Sequence, residues 1–226
     1  MTALDGTPTG VLLVHGAWHT KHCWDGVAQR LRALDIPVAL AELHRGSLAG
    51  DTAAATEAMA QLPGPVIACG HSYGGAVITG LAPDRIAHLV YLAAIMPDTS
   101  ETTLDLVAAH PTDLLASTVG DPSATTIDPA KAGDLFYAQL DEQQRAAHVA
   151  TLVPQNMAPG FDRPTSLAWR SRPSTYVVCS EDRAIHPQLQ RLLSQRATHA
   201  ITWASDHAPF LSHEDDTVAL LGKLAS

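Results

Sequence analysis

Residues 66–75 read VIACGHSYGG, an apolar run followed by the pattern Gly-x-Ser-x-Gly and then by a helix-like segment over residues 75–81. In a strand–turn–helix unit this pattern forms a nucleophile elbow, a tight turn that lifts a serine hydroxyl above the carboxyl edge of a parallel sheet. Glycines flank the serine because a Cβ at either position would collide with the neighbouring strand or helix. The stretch therefore predicts an α/β fold in which Ser72 is a nucleophile.

Outward from this stretch, apolar runs of strand length alternate with helix-like segments. Short apolar runs closed by turn residues are typical of strands buried on both faces of a parallel sheet. The predicted strands cover residues 11–14, 38–41, a run ending at 69, 88–94, 175–178 and 200–203. The predicted helices cover residues 24–34, 52–61, 75–81, 187–194 and 215–224. This alternation predicts a doubly wound, mostly parallel sheet of about six strands.

The pattern changes between residues 98 and 173, where prolines interrupt helix-like segments and no convincing strand is present. One of these segments, residues 141–152, has apolar positions at helical spacing. We therefore predict a helical cap over residues 98–173, inserted into a core formed by residues 1–97 and 174–226. Because the insertion enters and leaves at the carboxyl edge of the sheet, the cap is expected above Ser72.

The composition excludes several classes of binding partner for this chain. Its 226 residues are 46% hydrophobic, enough for one domain with a substantial core. The formal net charge of −9 and the lack of a Lys and Arg cluster argue against a nucleic-acid partner. Residues 1–10 have no signal-peptide pattern, and no stretch reaches roughly 18 apolar residues, so we expect no membrane partner and a cytoplasmic location. Three cysteines without Cys-x-x-Cys spacing predict neither disulfides nor a metal site, and we expect no cofactor.

Two loops that follow predicted strands carry candidate partners for Ser72. A serine hydroxyl is a weak nucleophile, so it needs a base to take its proton and a carboxylate to orient that base. Elbow-type enzymes carry these groups in the chain order serine, acid, histidine. Asp182 follows the strand over residues 175–178, and His207 follows the last predicted strand. We predict that His207 is the base and Asp182 the acid.

Other acidic residues compete with Asp182. Glu181 is its neighbour in the chain, and Asp98 follows the preceding strand, a position where some hydrolases carry the acid. Asp206 is expected only to shape the loop that carries His207. The remaining histidines near the carboxyl terminus do not follow a core strand in the way that His207 does.

Two backbone amides are candidates for holding the negative charge that forms on an attacked carbonyl oxygen. The amide of Tyr73 follows the nucleophile and lies at a predicted helix amino terminus, whose dipole favours negative charge. The amide of Ala17 lies in the turn after the first strand, where His15 and Gly16 precede it. The candidate substrate-pocket side chains are Trp18, His19, Leu135, Phe136 and Met157.

With these residues in place, the chain resembles the α/β-hydrolase superfamily, and within it the plant methyl esterases, hydroxynitrile lyases and their bacterial esterase relatives. The resemblance rests on residues 11–19 with Trp24, on 70–75, on 177–182, on 205–207 and on the cap segment 136–154. It implies Ser72, Asp182 and His207 as a catalytic triad, with the amides of Ala17 and Tyr73 as the oxyanion hole. Lyase members typically have Thr in place of Gly16 and Lys in place of Ala208, which disfavours lyase activity here.

These observations predict a hydrolase that cleaves carboxylic esters of small or medium neutral substrates through an acyl-enzyme, without a metal. The same triad also serves thioesterases, amidases and carbon–carbon bond hydrolases, so these activities stay open. A receptor that keeps the pocket without catalysis is an alternative of a different class. The expected partner is a small-molecule ester, and the sequence leaves open whether the chain forms a homodimer.

Overall fold

The computed structural model describes residues 9–44 and 46–226, and a six-stranded parallel sheet lies at its centre. In chain order the strands are β1 Gly10–Val14, β2 Val38–Ala41, β3 Val66–His71, β4 Ile86–Leu92, β5 Thr118–Val119, β6 Thr126–Ile127, β7 Ser174–Cys179 and β8 His199–Trp203. The large sheet has the order β2-β1-β3-β4-β7-β8, and all its neighbouring pairs are parallel. The predicted fold class and strand number are confirmed. Of the segment tested for a signal peptide, residues 1–8 lie outside the described residues.

The route of the chain through the sheet creates a crevice between β1 and β3. After β1 the chain forms β2 on one side, and it then crosses to form β3 on the other side of β1. Ligands of open α/β sheets bind outside the carboxyl ends of the strands at such a reversal. Val14 at the end of β1 is paired with Gly70 in β3. The turn after β1 and the elbow after β3 therefore meet at this crevice.

Helices cover the sheet on both faces. In chain order they are α1 Asp25–Arg32, α2 Leu48–Met59, α3 Gly74–Thr79, α4 Thr103–Ala109, α5 Asp113–Ala116, α6 Pro129–Phe136, α7 Glu142–Val149, α8 Pro187–Ser194, α9 Pro209–Ser212 and α10 Glu214–Ala225. Helix α1 packs beside α10, and α2 packs beside α3. Every residue of β1, β3 and β7 is buried, as expected for strands with helices on both faces.

Two element boundaries differ from the sequence-based expectation for local reasons. Helix α2 begins four residues before the alanine-rich pattern, because the Ser47 side chain caps it by accepting a hydrogen bond from the Gly50 amide at 3.0 Å. Strand β4 ends at Leu92 rather than at Ala94. Ala93 has a φ of +48°, which takes the chain out of the extended conformation.

Residues 98–173 contribute no strand to the six-stranded sheet and carry the short helices α4 to α7. The expectation that this segment has no strand is wrong, because β5 and β6 pair in an antiparallel hairpin. Strands of two residues are too short to leave a periodic signal in the sequence. The division into a core and a cap stays a prediction.

The three cysteines are free. Cys69 lies within β3 and Cys179 at the end of β7, and both are buried, whereas Cys23 is partly buried. Burial raises the pKa of all three thiols above the ordinary value. They are therefore protonated and unreactive at neutral pH in the folded protein.

Candidate active site

Ser72 occupies a strained turn between β3 and α3. Its φ is +52°, in the left-handed region that a residue with a Cβ rarely adopts. A Cβ on Gly70 would lie 2.4 Å from the carbonyl oxygen of Gly74, and one on Gly74 would lie 2.6 Å from the carbonyl oxygen of Val14. The two glycines of the pattern are therefore required by close backbone contacts. Ser72 itself is only 8% exposed.

The two amides predicted to form an oxyanion hole lie beside Ser72. Ala17, Ser72 and Tyr73 line one cavity. Among the described residues, neither the Ala17 nor the Tyr73 amide donates a hydrogen bond within the protein. Both N–H groups are thus available to a ligand in the cavity.

His15 orients the peptide group that carries the Ala17 N–H. Its Nδ1 donates to the Gly16 carbonyl at 2.8 Å, and its Nε2 accepts from the Leu43 amide at 3.2 Å. Burial lowers the pKa of His15 to about 3, so the ring is neutral, as this pair of bonds requires. The Gly16 carbonyl and the Ala17 N–H belong to one trans peptide and point in opposite directions. His15 therefore turns the Ala17 N–H away from itself.

His207 and Asp182 form a buried hydrogen-bonded pair. His207 Nδ1 lies 2.8 Å from Asp182 Oδ2, and both side chains are almost fully buried. The other carboxylate oxygen accepts hydrogen bonds from the amides of Ala184 at 2.8 Å and Ile185 at 2.9 Å. These contacts hold the carboxylate in one orientation and direct His207 Nε2 away from it.

Gln190 on α8 also holds Asp182, and sequence reasoning did not identify it. Its Nε2 donates to Asp182 Oδ2 at 2.7 Å and to the Ile185 carbonyl at 2.8 Å. Its Oε1 accepts from the Cys179 amide at 2.8 Å, at the end of β7. The side chain is fully buried. No sequence motif marks Gln190, because its role depends on which face α8 turns toward the loop.

His71, the residue before Ser72, contacts the loop that carries His207. Its Nε2 donates to the His207 carbonyl at 2.7 Å, and the two rings are 4.6 Å apart. Burial lowers the pKa of His71 well below its ordinary value, so the ring is neutral. Within the described residues Ser72 makes no hydrogen bond to His207. A hydrogen bond between a nucleophile and its base is often long before a ligand binds and shortens on binding.

The competing acidic residues have other partners. Asp98 pairs with Arg170, with Oδ2 2.5 Å from Nη2, on the surface of the protein. Asp206 accepts from the Gln139 amide at 2.9 Å and from the Ser212 hydroxyl at 2.7 Å, which fixes the His207 loop. Glu181 accepts from the Gln139 side chain. Among the described acidic residues, Asp182 alone bonds to His207.

The loop after β1 makes hydrogen bonds to the segment 98–173. His19 donates from Nδ1 to the Ala17 carbonyl at 2.8 Å, and its Nε2 accepts from the Tyr137 hydroxyl at 2.9 Å. Burial lowers the pKa of His19 to about 4, so the ring is neutral in this arrangement. Trp18, with a φ of +59°, donates from Nε1 to the Thr125 hydroxyl at 3.3 Å. The loop therefore contacts both the site and the cap segment.

A cavity of about 50 Å³ lies beside Ser72. From the core it is lined by Ala17, Trp18, Ser72, Tyr73, Ile95 and Ile185. From the cap segment its lining includes Thr103, Leu104, Val107, Leu114, Gln155 and Met157. No described residue of the lining carries a charge.

The structure brings some predicted pocket residues to this cavity and not others. Trp18 and Met157 line it, whereas His19, Leu135 and Phe136 do not. The Phe136 ring lies 5.5 Å from the His207 ring and 5.4 Å from the His19 ring. Leu135, although buried, borders a separate charged surface cleft. Of the lining residues that sequence reasoning did not identify, five lie in α4 and α5, namely Thr103, Leu104, Val107, Leu114 and Leu115.

Two further findings concern the described residues only. They contain no group of three or more His, Cys, Asp or Glu side chains that could hold a metal ion. They also contain no helix that is long and apolar enough to cross a membrane.

A strained serine after a parallel strand, with a histidine–carboxylate pair on neighbouring loops of the same sheet edge, is typical of serine hydrolases with an α/β fold. Residues 11–220 match the sequence profile of the Alpha/beta hydrolase family, and the chain belongs to this family. The resemblance to this superfamily is confirmed.

Individual proteins show the same likeness. A carbendazim hydrolyzing esterase of Nocardioides sp. (strain SG-4G) is 36% identical over 135 residues, covering 52% of this chain and 55% of that protein. Methylesterase 2 of Arabidopsis thaliana is 24% identical over 212 residues, covering 80% of this chain and 81% of the relative. The crystal structure of polyneuridine aldehyde esterase has a TM-score of 0.82 at 18% identity, covering 97% of this chain and 100% of that one. The similarity thus extends to plant methyl esterases, and the last comparison shows the shared fold.

Proposed function

We propose that this protein is a carboxylesterase-type serine hydrolase that cleaves esters of small or medium neutral molecules through an acyl-enzyme. The observation that carries the proposal is the buried His207–Asp182 pair, whose histidine contacts His71, the residue before an elbow serine that lines an uncharged cavity. The names of the relatives support it, because they include an esterase and a methylesterase.

In the proposed reaction Ser72 Oγ attacks the ester carbonyl while His207 Nε2 takes the hydroxyl proton. Asp182 holds the ring so that Nε2 is free to act as the base and stabilises the positive charge that forms on it. The amides of Ala17 and Tyr73 donate to the oxyanion.

The second half of the reaction uses the same groups. His207 gives its proton to the leaving alcohol, and Ser72 remains as an acyl ester. Water then attacks this ester with His207 again as base, which releases the acid and restores the serine. No step requires a metal or an organic cofactor.

Other reactions of this triad remain alternatives to ester cleavage. Thioesters, amides and certain carbon–carbon bonds are attacked by the same groups. Lyase activity is disfavoured, because Ala208 stands where lyase members have a lysine and Gly16 where they have a threonine. A non-catalytic receptor is the alternative outside the enzymes.

A fluorophosphonate probe tests the proposal at the serine. We expect stoichiometric labelling of the purified protein, located at Ser72 by peptide mass analysis and absent in Ser72→Ala. A panel of p-nitrophenyl esters of increasing acyl length, followed by natural methyl esters, measures turnover. A receptor with a misaligned triad would bind esters without being labelled and without releasing acid, and that result would contradict the proposal.

A further inference from the structure

Gln155 brings a polar side chain to the cavity beside Ser72, whose lining is mostly apolar. Gln155 is 4% exposed, and its Nε2 donates to the Asn156 carbonyl at 2.7 Å. Because a carbonyl oxygen only accepts, this bond identifies which end of the amide is nitrogen. Among the described residues no group donates to the remaining atom, Oε1. An acceptor in the wall of a cavity can accept a hydrogen bond from a ligand that carries a donor.

The backbone of Gln155 is held firmly against the loop that carries Ala17. Gln155 and Thr125 exchange backbone hydrogen bonds of 2.8 and 2.9 Å, and the Thr125 hydroxyl donates to the Gln155 carbonyl at 2.8 Å. Trp18 Nε1 in turn donates to that hydroxyl. The acceptor is therefore fixed in place before a substrate arrives, which favours selective recognition.

The position of His207 indicates which part of an ester fills the cavity. In the proposed function, on which this inference rests, His207 protonates the leaving alcohol. Ser72, Ala17 and Tyr73 line the cavity, whereas His207 does not. The alcohol oxygen must therefore lie outside the cavity beside His207, and the acyl group must lie inside it.

We propose that Gln155 selects neutral acyl groups that carry a hydrogen-bond donor, a hydroxyl or an N–H, on an otherwise apolar skeleton. The skeleton contacts apolar lining residues such as Leu104, Val107 and Met157, and Oε1 accepts the hydrogen bond. A charged acyl group would be desolvated without a counter-charge among the described lining residues, which disfavours it. Gln155 is thus a specificity-determining residue of the ester hydrolase.

Methyl esters of phenylacetic acid test this inference, because ring substituents change the donor while the reacting group stays the same. The panel contains the unsubstituted ester, its ortho, meta and para hydroxy derivatives, and the three methoxy derivatives, which keep the oxygen but lack the donor. We expect the wild-type protein to have a higher kcat/KM for at least one hydroxy ester than for its methoxy and unsubstituted counterparts. In Gln155→Leu this ratio should fall by about tenfold or more.

The ratio is measured on one protein preparation, so partial unfolding of a variant lowers both rates and leaves the ratio unchanged. Thr103→Val, which removes another polar lining side chain, is the matched control and should keep the ratio within about twofold of wild type. Three results would each overturn the inference. The ratio of kcat/KM for the hydroxy ester to that for its counterparts could be unchanged in Gln155→Leu, or it could fall in Thr103→Val. The wild-type protein could also show no preference for any hydroxy ester.

Fluorophosphonate labelling distinguishes this failure from failure of the proposed function. If Ser72 is labelled and the esters turn over without hydroxy preference, only the inference about Gln155 is wrong. If Ser72 is not labelled and no ester of the panel is cleaved, the proposed function is wrong and the inference is overturned with it.

Discussion

The carboxyl edge of the sheet and the cap segment 98–173 are built in different ways. Strands β1, β3 and β7 are buried at every residue, whereas helix α7 of the cap has no buried residue. The α-helices of this segment have four to eight residues, and its hairpin has two residues in each strand. A buried scaffold keeps reacting groups in fixed positions, and a loosely buried segment tolerates change. We therefore expect the sheet edge to carry the proposed reaction and the segment 98–173 to carry its selectivity.

This separation is incomplete at one place, the loop after β1. Trp18 and His19 bond to cap residues, and the Val153 amide donates to the Trp18 carbonyl at 2.8 Å. Substitutions at the sheet edge should therefore lower kcat/KM for all esters by the same factor. Substitutions in the cap segment should change kcat/KM by different factors for different esters. Substitutions in this loop should change the stability of the contact between the two parts.

The largest effect is expected from Ser72→Ala, in the sheet edge. Loss of the nucleophile should lower kcat by at least about three orders of magnitude for every ester tested, because members of a triad act as one unit. Initial rates with p-nitrophenyl esters measure this loss. Ser180→Ala, which changes a serine in the loop between β7 and Asp182, is the control and should retain most activity. Retained turnover in Ser72→Ala would remove Ser72 from its proposed role.

Asp182→Asn should have the next largest effect, a loss of roughly 10²–10⁴ in kcat. An amide in place of the carboxylate favours the wrong tautomer of His207 and does not stabilise its positive charge. The same change at Asp98 or at Asp206 provides matched controls, because neither carboxylate bonds to the His207 ring. If Asp98→Asn were the inactive variant, the assignment of the acid would be wrong.

Acid should weaken the connection between the two parts through His19. Its pKa in the folded protein is about 4, below the ordinary 6.5, so below about pH 6.5 the unfolded chain binds more protons than the folded one. The free energy of unfolding is therefore highest above pH 6.5 and falls as the pH drops toward 4. The full loss is about 3 kcal/mol for this side chain.

Urea unfolding between pH 7 and about 5.5, where ordinary Asp and Glu side chains are still almost fully ionised, measures the first part of this loss. His19→Asn should reduce the pH dependence, whereas His22→Gln should not, because the His22 side chain is 67% exposed. An unchanged pH dependence in His19→Asn would show that the loss of stability in acid does not come from this histidine.

The smallest effect is expected from truncation of apolar cap residues. Met157→Ala and Leu104→Ala enlarge the cavity and should shift the preferred acyl length, changing relative kcat/KM between esters by about 1–3 kcal/mol. Phe161→Ala is the control, because Phe161 does not line the cavity and is 67% exposed. An equal loss for all esters would mean that these side chains only stabilise the fold.

The buried core could be predicted from the sequence because its signals are local. Apolar runs mark strands such as β1, and Pro187 marks the start of α8, whose predicted bounds agree with the structure. The chain order of Ser72, Asp182 and His207 follows from where strands end, so these residues could be identified as candidates. Their catalytic roles stay predictions.

The remaining features depend on which side a segment turns toward its neighbours, and a single sequence does not contain that information. Gln190 contacts Asp182 only because α8 packs with that face inward. Phe136 was a candidate for the pocket, yet it packs on the His207 ring, while Val107 and Leu114 line the cavity. The position of a segment in the chain predicts that it lies near the site, whereas packing determines which of its side chains contact the site.

The two buried free cysteines, Cys69 and Cys179, give this protein built-in reporters of local opening. A protonated, buried thiol reacts with an alkylating reagent only while the surrounding structure is open, so the rate of modification measures how often that region opens. Cys69 reports on the centre of the sheet, and Cys179 reports on the strand before Asp182. Mass spectrometry of the modified peptides would compare their opening without a single introduced label.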